Sequence, residues 1–315
     1  MKDKFGRDIH YLRLSVTDKC NLRCTYCMPE AGVDKLRHED ILSVEEIAEI
    51  VQATAACGIT KVRITGGEPL VRRGIIEICK RVAATDGIQE VCLTSNGILL
   101  PQFAKELKSA GIDRLNISLD SLDPVTYNKI TRFSRLDDAL SGIKAAFETG
   151  FDAIKINVVL IGGVNDSEIR DLLELTREYK VDVRFIELMP VGECANWASN
   201  RFFDAQSVLK IAPELFEAGT DGVTKLYTLP GGLGTVGLIS PISSHFCPDC
   251  NRIRITSTGK LKPCLHSSEE INLRGLHGSE LESTIRNAIY KKPRKHVLDE
   301  GKPSAATRNM NEIGG

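Results

Sequence analysis

SVEEIAEIVQATAACGITKVRITGGEP, residues 43–69, decides the fold class of this chain. Its first half has helical period, with Val44, Ile47, Ile50 and Val51 on one face. Ser43 followed by Glu46 is a capping box, and Gly58 stands where a helix should end. Its second half alternates: Lys61, Arg63 and Thr65 share one face, Val62 and Ile64 the other. A helix feeding a strand that stops on a glycine turn is the unit of a parallel α/β sheet.

The same unit recurs on both sides. Strand-like runs cover residues 11–16, 90–94, 113–119, 153–160 and 182–188, and helical patterns cover 74–84, 101–110, 136–149 and 167–179. Six β/α units predict a parallel sheet with right-handed crossovers, and periodicity leaves open whether it closes into a barrel. From about residue 190 the texture changes. Residues 191–199 read as irregular and hold the only tryptophan, Trp197. Residues 230–234 and 241–244 read as turns between short strands, and 280–290 as one more helix. A polar tail follows and ends in Ile313-Gly314-Gly315. The expectation is two regions: a β/α unit over 1–215 and a smaller β-rich region over 216–315.

Composition narrows the function classes. The 315 residues are 42% hydrophobic and 26% charged, enough for a large core and unlike a disordered chain. With 41 Lys+Arg against 42 Asp+Glu, the net charge of -1 excludes a broad nucleic-acid-binding field but not a local anion site. The first residues carry charges without an apolar run, and no stretch approaches the roughly 20 apolar residues of a membrane span. The chain is therefore expected in the cytoplasm. In that reducing compartment the clustered cysteines among the 10 read as metal or cluster ligands rather than disulfides.

Cys20, Cys24 and Cys27 form C-x3-C-x2-C directly after the first strand. Three thiolates there suit an iron–sulfur cube with one iron left open, or a zinc site completed from elsewhere. Cys247, Cys250 and Cys264 form C-x2-C-x13-C. In isolation that spacing equally suits a zinc ribbon completed by His245 or His266, or a second cluster with an open iron. Cys57, Cys79, Cys92 and Cys194 stand alone and read as ordinary thiols.

The first triplet, with Tyr26 before its third cysteine and the Gly66-Gly67-Glu68-Pro69 turn one unit later, resembles the radical S-adenosylmethionine (SAM) superfamily. The resemblance implies a partial (β/α)6 TIM-like barrel with the site on its C-terminal rim. It also implies a 4Fe-4S cluster that cleaves SAM reductively to a 5′-deoxyadenosyl radical. Cys-Pro-x-Cys-Asn-Arg-x-Arg in the second triplet and the Gly-Gly end are similar to the GTP 3′,8-cyclase family of molybdenum cofactor biosynthesis. That likeness implies a second 4Fe-4S cluster that binds the purine through its open iron. The implied product is (8S)-3′,8-cyclo-7,8-dihydroguanosine 5′-triphosphate, formed when the radical removes the ribose 3′ hydrogen and the new carbon radical attacks C8.

Matched residue by residue, the family pattern implies SAM contacts at Tyr26, Gly67, Ser118 and Met189. It implies GTP contacts at Arg13, Arg63, Thr94, Lys155 and the run Arg252-Ile253-Arg254. Arg13, Arg252, Arg254, Gly314 and Gly315 would assist catalysis, the glycine pair by reaching into the site. Lys61 and Arg184 are further candidates for an electropositive lining. The implied partners are an electron donor, a downstream pyranopterin-forming enzyme and a second copy of the chain; no nucleic acid or membrane partner is expected. Taken singly, each Arg or Lys reads as a solvated charge. On residues 61–65 the polar face must point inward or outward as a set, and inward is sensible only if the interior is polar.

Overall fold

A computed structural model describes residues 1–33, 36–195, 197, 199–296, 298 and 304–314. The β/α series runs β1 (Tyr11–Ser15), α1 (Val44–Ala56), β2 (Lys61–Thr65), α2 (Ile75–Ala83), β3 (Glu90–Ser95) and α3 (Leu100–Ser109). It continues with β4 (Arg114–Ser118), α4 (Pro124–Thr131), α5 (Leu136–Thr149), β5 (Ala153–Leu160), α6 (Ile169–Glu178), β6 (Asp182–Glu187) and α7 (Ser207–Ile211). The C-terminal region adds β7 (Phe216–Asp221), β8 (Thr224–Thr228), β9 (Val236–Ile239), β10 (Arg252–Ile255), β11 (Lys260–Lys262), β12 (Ile271–Asn272) and α8 (Gly278–Tyr290).

All these strands form one sheet, in the order β12-β11-β10-β1-β2-β3-β4-β5-β6-β9-β8-β7. From β10 to β9 every neighbouring pair is parallel. The pairs outside them are antiparallel. The six strands expected from the sequence thus stand in chain order at the centre, as in a partial TIM-like barrel that does not close. The C-terminal strands do not build a separate layer. They extend the same sheet at both ends, and their buried Val236, Leu238, Ile253 and Ile255 cover what would otherwise be open edges.

Alternation sets the two faces. Val62, Ile64, Leu12, Leu14, Leu115 and Ile117 enter the hydrophobic core beneath the helices. The other face carries Arg63, Asn116 and Lys155, all buried, and the half-buried Arg13. Ser43 caps α1 as expected: its Oγ accepts from Glu46 N–H at 3.1 Å, and its own N–H donates to Glu46 Oε2 at 2.7 Å. The helix α4 is not marked by apolar period, because only Tyr127 and Ile130 of its apolar side chains are buried and Val125 is exposed. Its start was nonetheless legible in Asp123-Pro124, where Asp123 Oδ1 accepts from Thr126 N–H at 2.8 Å. Among the described residues, no helix is long and apolar enough to cross a membrane.

Candidate active site

The chain leaves β1 at its C-terminal end and enters the first cysteine loop at once. Leu22 N–H donates to Cys20 Sγ at 3.4 Å, and Asn96 Nδ2 to the same sulfur at 3.8 Å. Arg23 ties the loop by donating to the carbonyls of Cys20 and Leu22 at 2.7 and 2.8 Å. Tyr26 Oη donates to Asp120 Oδ2 at 2.7 Å, fixing the ring between Thr25 and Cys27. The glycine turn packs directly on this loop. A Cβ on Gly67 would lie 2.4 Å from Lys19 O, so only glycine fits that approach.

Burial governs the protonation of these groups. It pushes the Cys20 thiol up to about 11, with Glu68 adding to the effect. It drives Cys24 and Cys27 higher still, reinforced by the charge of neighbouring cysteines and Asp120. Thiols in this setting stay protonated until a cation binds the sulfur and displaces the proton to solvent. Burial also raises Glu68 to about 7 and Asp120 to about 6. Glu68 keeps three donors: the N–H groups of Leu70 and Asn96, at 3.0 and 2.7 Å, and Ser95 Oγ at 3.0 Å.

The polar face of β2 turns inward. Arg63 donates to Asn116 Oδ1 at 2.5 Å, to Thr94 Oγ1 at 3.4 Å and to the Tyr11 hydroxyl, partners on three other strands. Arg254, Arg13 and Arg63 stand in one register row across β10, β1 and β2. Crowding has a cost: burial and Arg254 push Arg13 well below the ordinary arginine range, and burial and Arg252 bring Arg254 down to about 10. Ile253, between them in sequence, turns the other way into the core. On the opposite flank Lys155 and Arg184 both donate to Asp221 Oδ2, at 2.7 and 2.5 Å. Lys61 differs, pairing with Glu90 at 2.9 Å. Ser118 ends β4, and Met189 lies just past β6, its carbonyl accepting from Val191 N–H at 2.8 Å.

The second triplet sits at the far edge of the same row. Residues 240–251, which carry Cys247 and Cys250, connect β9 to β10 from one flank of the parallel strands to the other. Arg254 is within electrostatic reach of both Cys250 and Cys264. Burial alone would raise the Cys250 thiol, but Lys292 and Arg252 outweigh it and bring it below its ordinary value. His266 is buried here and held down to about 3 by that burial, His296 and Arg254. Among the described residues, no three His, Cys, Asp or Glu side chains converge as ligands of a single metal ion.

The tail links the two triplets. His266 Nδ1 lies 3.1 Å from Ser304 Oγ beside the second triplet, and Arg308 donates to Glu270 at 2.6 and 2.9 Å. Further on, Asn311 donates from its side chain to Asp18 O at 3.0 Å, and its backbone N–H lies near enough to Cys27 to favour that thiolate. Gly314 O then accepts from Arg13 Nε at 3.1 Å and Arg254 Nη1 at 2.6 Å. A Cβ on Gly314 would meet Thr65 Oγ1 at 2.2 Å. Gly315 lies outside the described residues.

Tyr11, Asn116, Asp120, Asp221 and Asn311 join this site without having been singled out in the sequence. Asn116 had a signal, since Arg114, Asn116 and Ser118 alternate against Leu115 and Ile117. Asp221 and Asn311 had none, because long-range folding alone brings them in.

A family model described as the radical SAM superfamily matches residues 14–176, and one described as Molybdenum Cofactor Synthesis C matches residues 181–298. A GTP 3′,8-cyclase of Alkaliphilus oremlandii is 49% identical over 320 residues, covering 100% of both chains. One of Geobacter sulfurreducens is 46% identical over 322 residues, covering 99% of each. Streptococcus suis SuiB in its crystal structure bound to S-adenosylmethionine has a TM-score of 0.67 at 17% identity, covering 96% of this chain and 77% of that one. That likeness is one of fold.

Proposed function

The chain belongs to the radical SAM superfamily and, within it, to the GTP 3′,8-cyclases, and on that premise we propose how its residues divide the work. The activity is cyclisation of GTP to (8S)-3′,8-cyclo-7,8-dihydroguanosine 5′-triphosphate in molybdenum cofactor biosynthesis, with two 4Fe-4S clusters and SAM as cofactors.

The residues fit those groups. Each triplet offers three thiols, the donor that iron–sulfur clusters take, and leaves a fourth position for a ligand from outside the protein. Around the glycine turn, Asp18 Oδ1 and Thr65 Oγ1 are buried with no hydrogen-bond partner among the described residues, which suits an ammonium group. When bound, the first cluster and SAM supply a 5′-deoxyadenosyl radical.

In this reading Cys20, Cys24 and Cys27 hold the first cluster, while Tyr26, Gly67, Ser118 and Met189 hold SAM. Cys247, Cys250 and Cys264 hold the second, which takes the guanine. Arg13, Arg63, Thr94, Lys155, Arg252 and Arg254 bind the nucleotide, with Ile253 offering only its backbone because its side chain lies in the core, and the guanidinium row favours the anionic phosphate chain. Gly314 keeps the tail slim enough to lie against Arg13 and Arg254, and Gly314 and Gly315 together assist catalysis in this reading. Residues 1–215 thus handle SAM, and 216–315 supply the second triplet, β10 and the tail.

The observation that carries this reading is the path of the tail, from beside Cys264 past Cys27 to the carbonyl of Gly314 on two arginines. It supports seating both triplets at one cavity. Anaerobic incubation with GTP, SAM and a reductant tests it. Formation of 5′-deoxyadenosine that depends on GTP, together with a cyclised nucleotide, is expected; neither appearing would overturn it. A cytoplasmic setting, a one-electron donor, transfer of the product to a pyranopterin-forming enzyme and a homodimer complete the proposal.

A further inference from the structure

Two cations of this lining already share a partner from the C-terminal region. Asp221, at the tip of the β7–β8 hairpin, places one carboxylate oxygen 2.7 Å from Lys155 Nζ and 2.5 Å from Arg184 Nη2. The Lys155 and Arg184 side chains are only 7% and 10% exposed, whereas that of Asp221 is 47% exposed. A single anionic oxygen bridging two buried cations is also how a phosphate oxygen would sit. Lys155 needs such a neighbour, because burial and Arg184 both disfavour its charge.

The hairpin backbone is held beside Asp221, and the Asp221 side chain is what remains half-exposed. Arg184 also donates to the buried Thr224 Oγ1 at 3.2 Å, and β8 pairs along β9, which pairs along β6. The outer strand β7 is exposed along its whole length, and its ladder shifts register between Glu217 and Gly219. Thr224, paired with Asp221 across the turn, holds the backbone here, so Asp221 can leave both cations by turning a side chain that is already half-exposed.

Position tells which ligand would compete. The second triplet and β10 lie on one flank of the six central strands, and β5 and β6 on the other. A nucleotide anchored by its base at the second triplet directs the far end of its phosphate chain toward Lys155 and Arg184. We propose that Asp221 is a displaceable counter-ion that holds the seat of the terminal phosphate between Lys155 and Arg184 and yields it to GTP. The seat is thereby kept from small free anions, and a nucleotide one phosphate shorter leaves Asp221 in place. This rests on the seating of GTP proposed above.

Equilibrium binding of GTP and GDP to the anaerobically reconstituted holoenzyme tests it. Asp221→Asn should tighten GTP about tenfold, with GDP changing by no more than about twofold, and inorganic phosphate should now compete with GTP. Asp221→Glu, which keeps the charge, should behave like the parent. Cluster absorbance matching the parent verifies that each variant is folded. Weaker GTP binding in Asp221→Asn would overturn the proposal, since Asp221 would then be positioning the cations. An equal change for GTP and GDP, or none, would overturn it as well. Lys155→Ala separates the two levels: weakened GTP binding there keeps the seating whatever Asp221 does. Unchanged GTP binding there removes the seating itself, and this inference with it.

Discussion

Cys20, Cys24 and Cys27 lie half-buried beside one another, near Glu68 and Asp120, and their thiols are driven up. Cys250 is half-buried too, yet Lys292 and Arg252 bring its thiol down. Both triplets offer the same three sulfurs, so the difference lies in what surrounds them. Carboxylates near the first triplet suit a cationic ligand such as the SAM sulfonium and ammonium groups. Arginines near the second suit an anionic nucleotide. Identical donor sets are made to serve opposite charges by their neighbours.

The strongest way to break this comparison is to remove one sulfur from each side. Cys24→Ala should abolish 5′-deoxyadenosine formation and reduce the iron from about eight to about four per chain. Iron analysis and product chromatography check it. Cys264→Ala should leave the first cluster's spectrum and SAM binding intact while weakening GTP about a hundredfold, measured by equilibrium dialysis. Unchanged GTP affinity with the second cluster absent would show that the base is not held there.

A milder test acts on the charges. Arg254→Ala should weaken GTP by roughly thirtyfold, the loss of a charge-assisted contact, while SAM affinity stays level. The effect should shrink as salt is raised if the contact is only partly shielded from water. On the first side Glu68 is raised from 4.5 to about 7, so the native chain binds a proton that the unfolded chain has released. Its contribution is complete below pH 4.5 and is lost as pH rises to about 7. Urea unfolding of the metal-free protein should show stability falling across that window by on the order of 2 kcal/mol, and Glu68→Gln should flatten the slope. Smallest of all, Ser43→Ala removes the α1 cap far from both sites. It should cost about 1 kcal/mol in the same assay and leave both ligand affinities unchanged.

Much of this was legible along the chain because the signals are local. Ser43 and Glu46 are three residues apart, and their reciprocal bonds form inside one helical turn. Alternation over residues 61–65 required the charged face to move as a set, which linked Arg63 to a polar interior before any partner was known. The helix α4 escaped for the same reason in reverse, since few of its apolar side chains are buried and period carried little signal.

Other features have no local signature. Asp221 reads as one acid in a polar hairpin, and its role depends on strands β9 and β8 being laid beside β6. The C-terminal strands could have formed a sheet of their own; that they extend the central sheet at both ends is set by which edges were open to pair. By itself the sequence determined the β/α alternation, a charged face that moves as a set and the two sets of sulfur donors, because each depends on spacings of a few residues. Only the tertiary structure decided which charges surround each set, because Lys292, Arg252, Glu68 and Asp120 reach the sulfurs across space. Electrostatic energy depends on that distance and on burial, and neither is written in chain order.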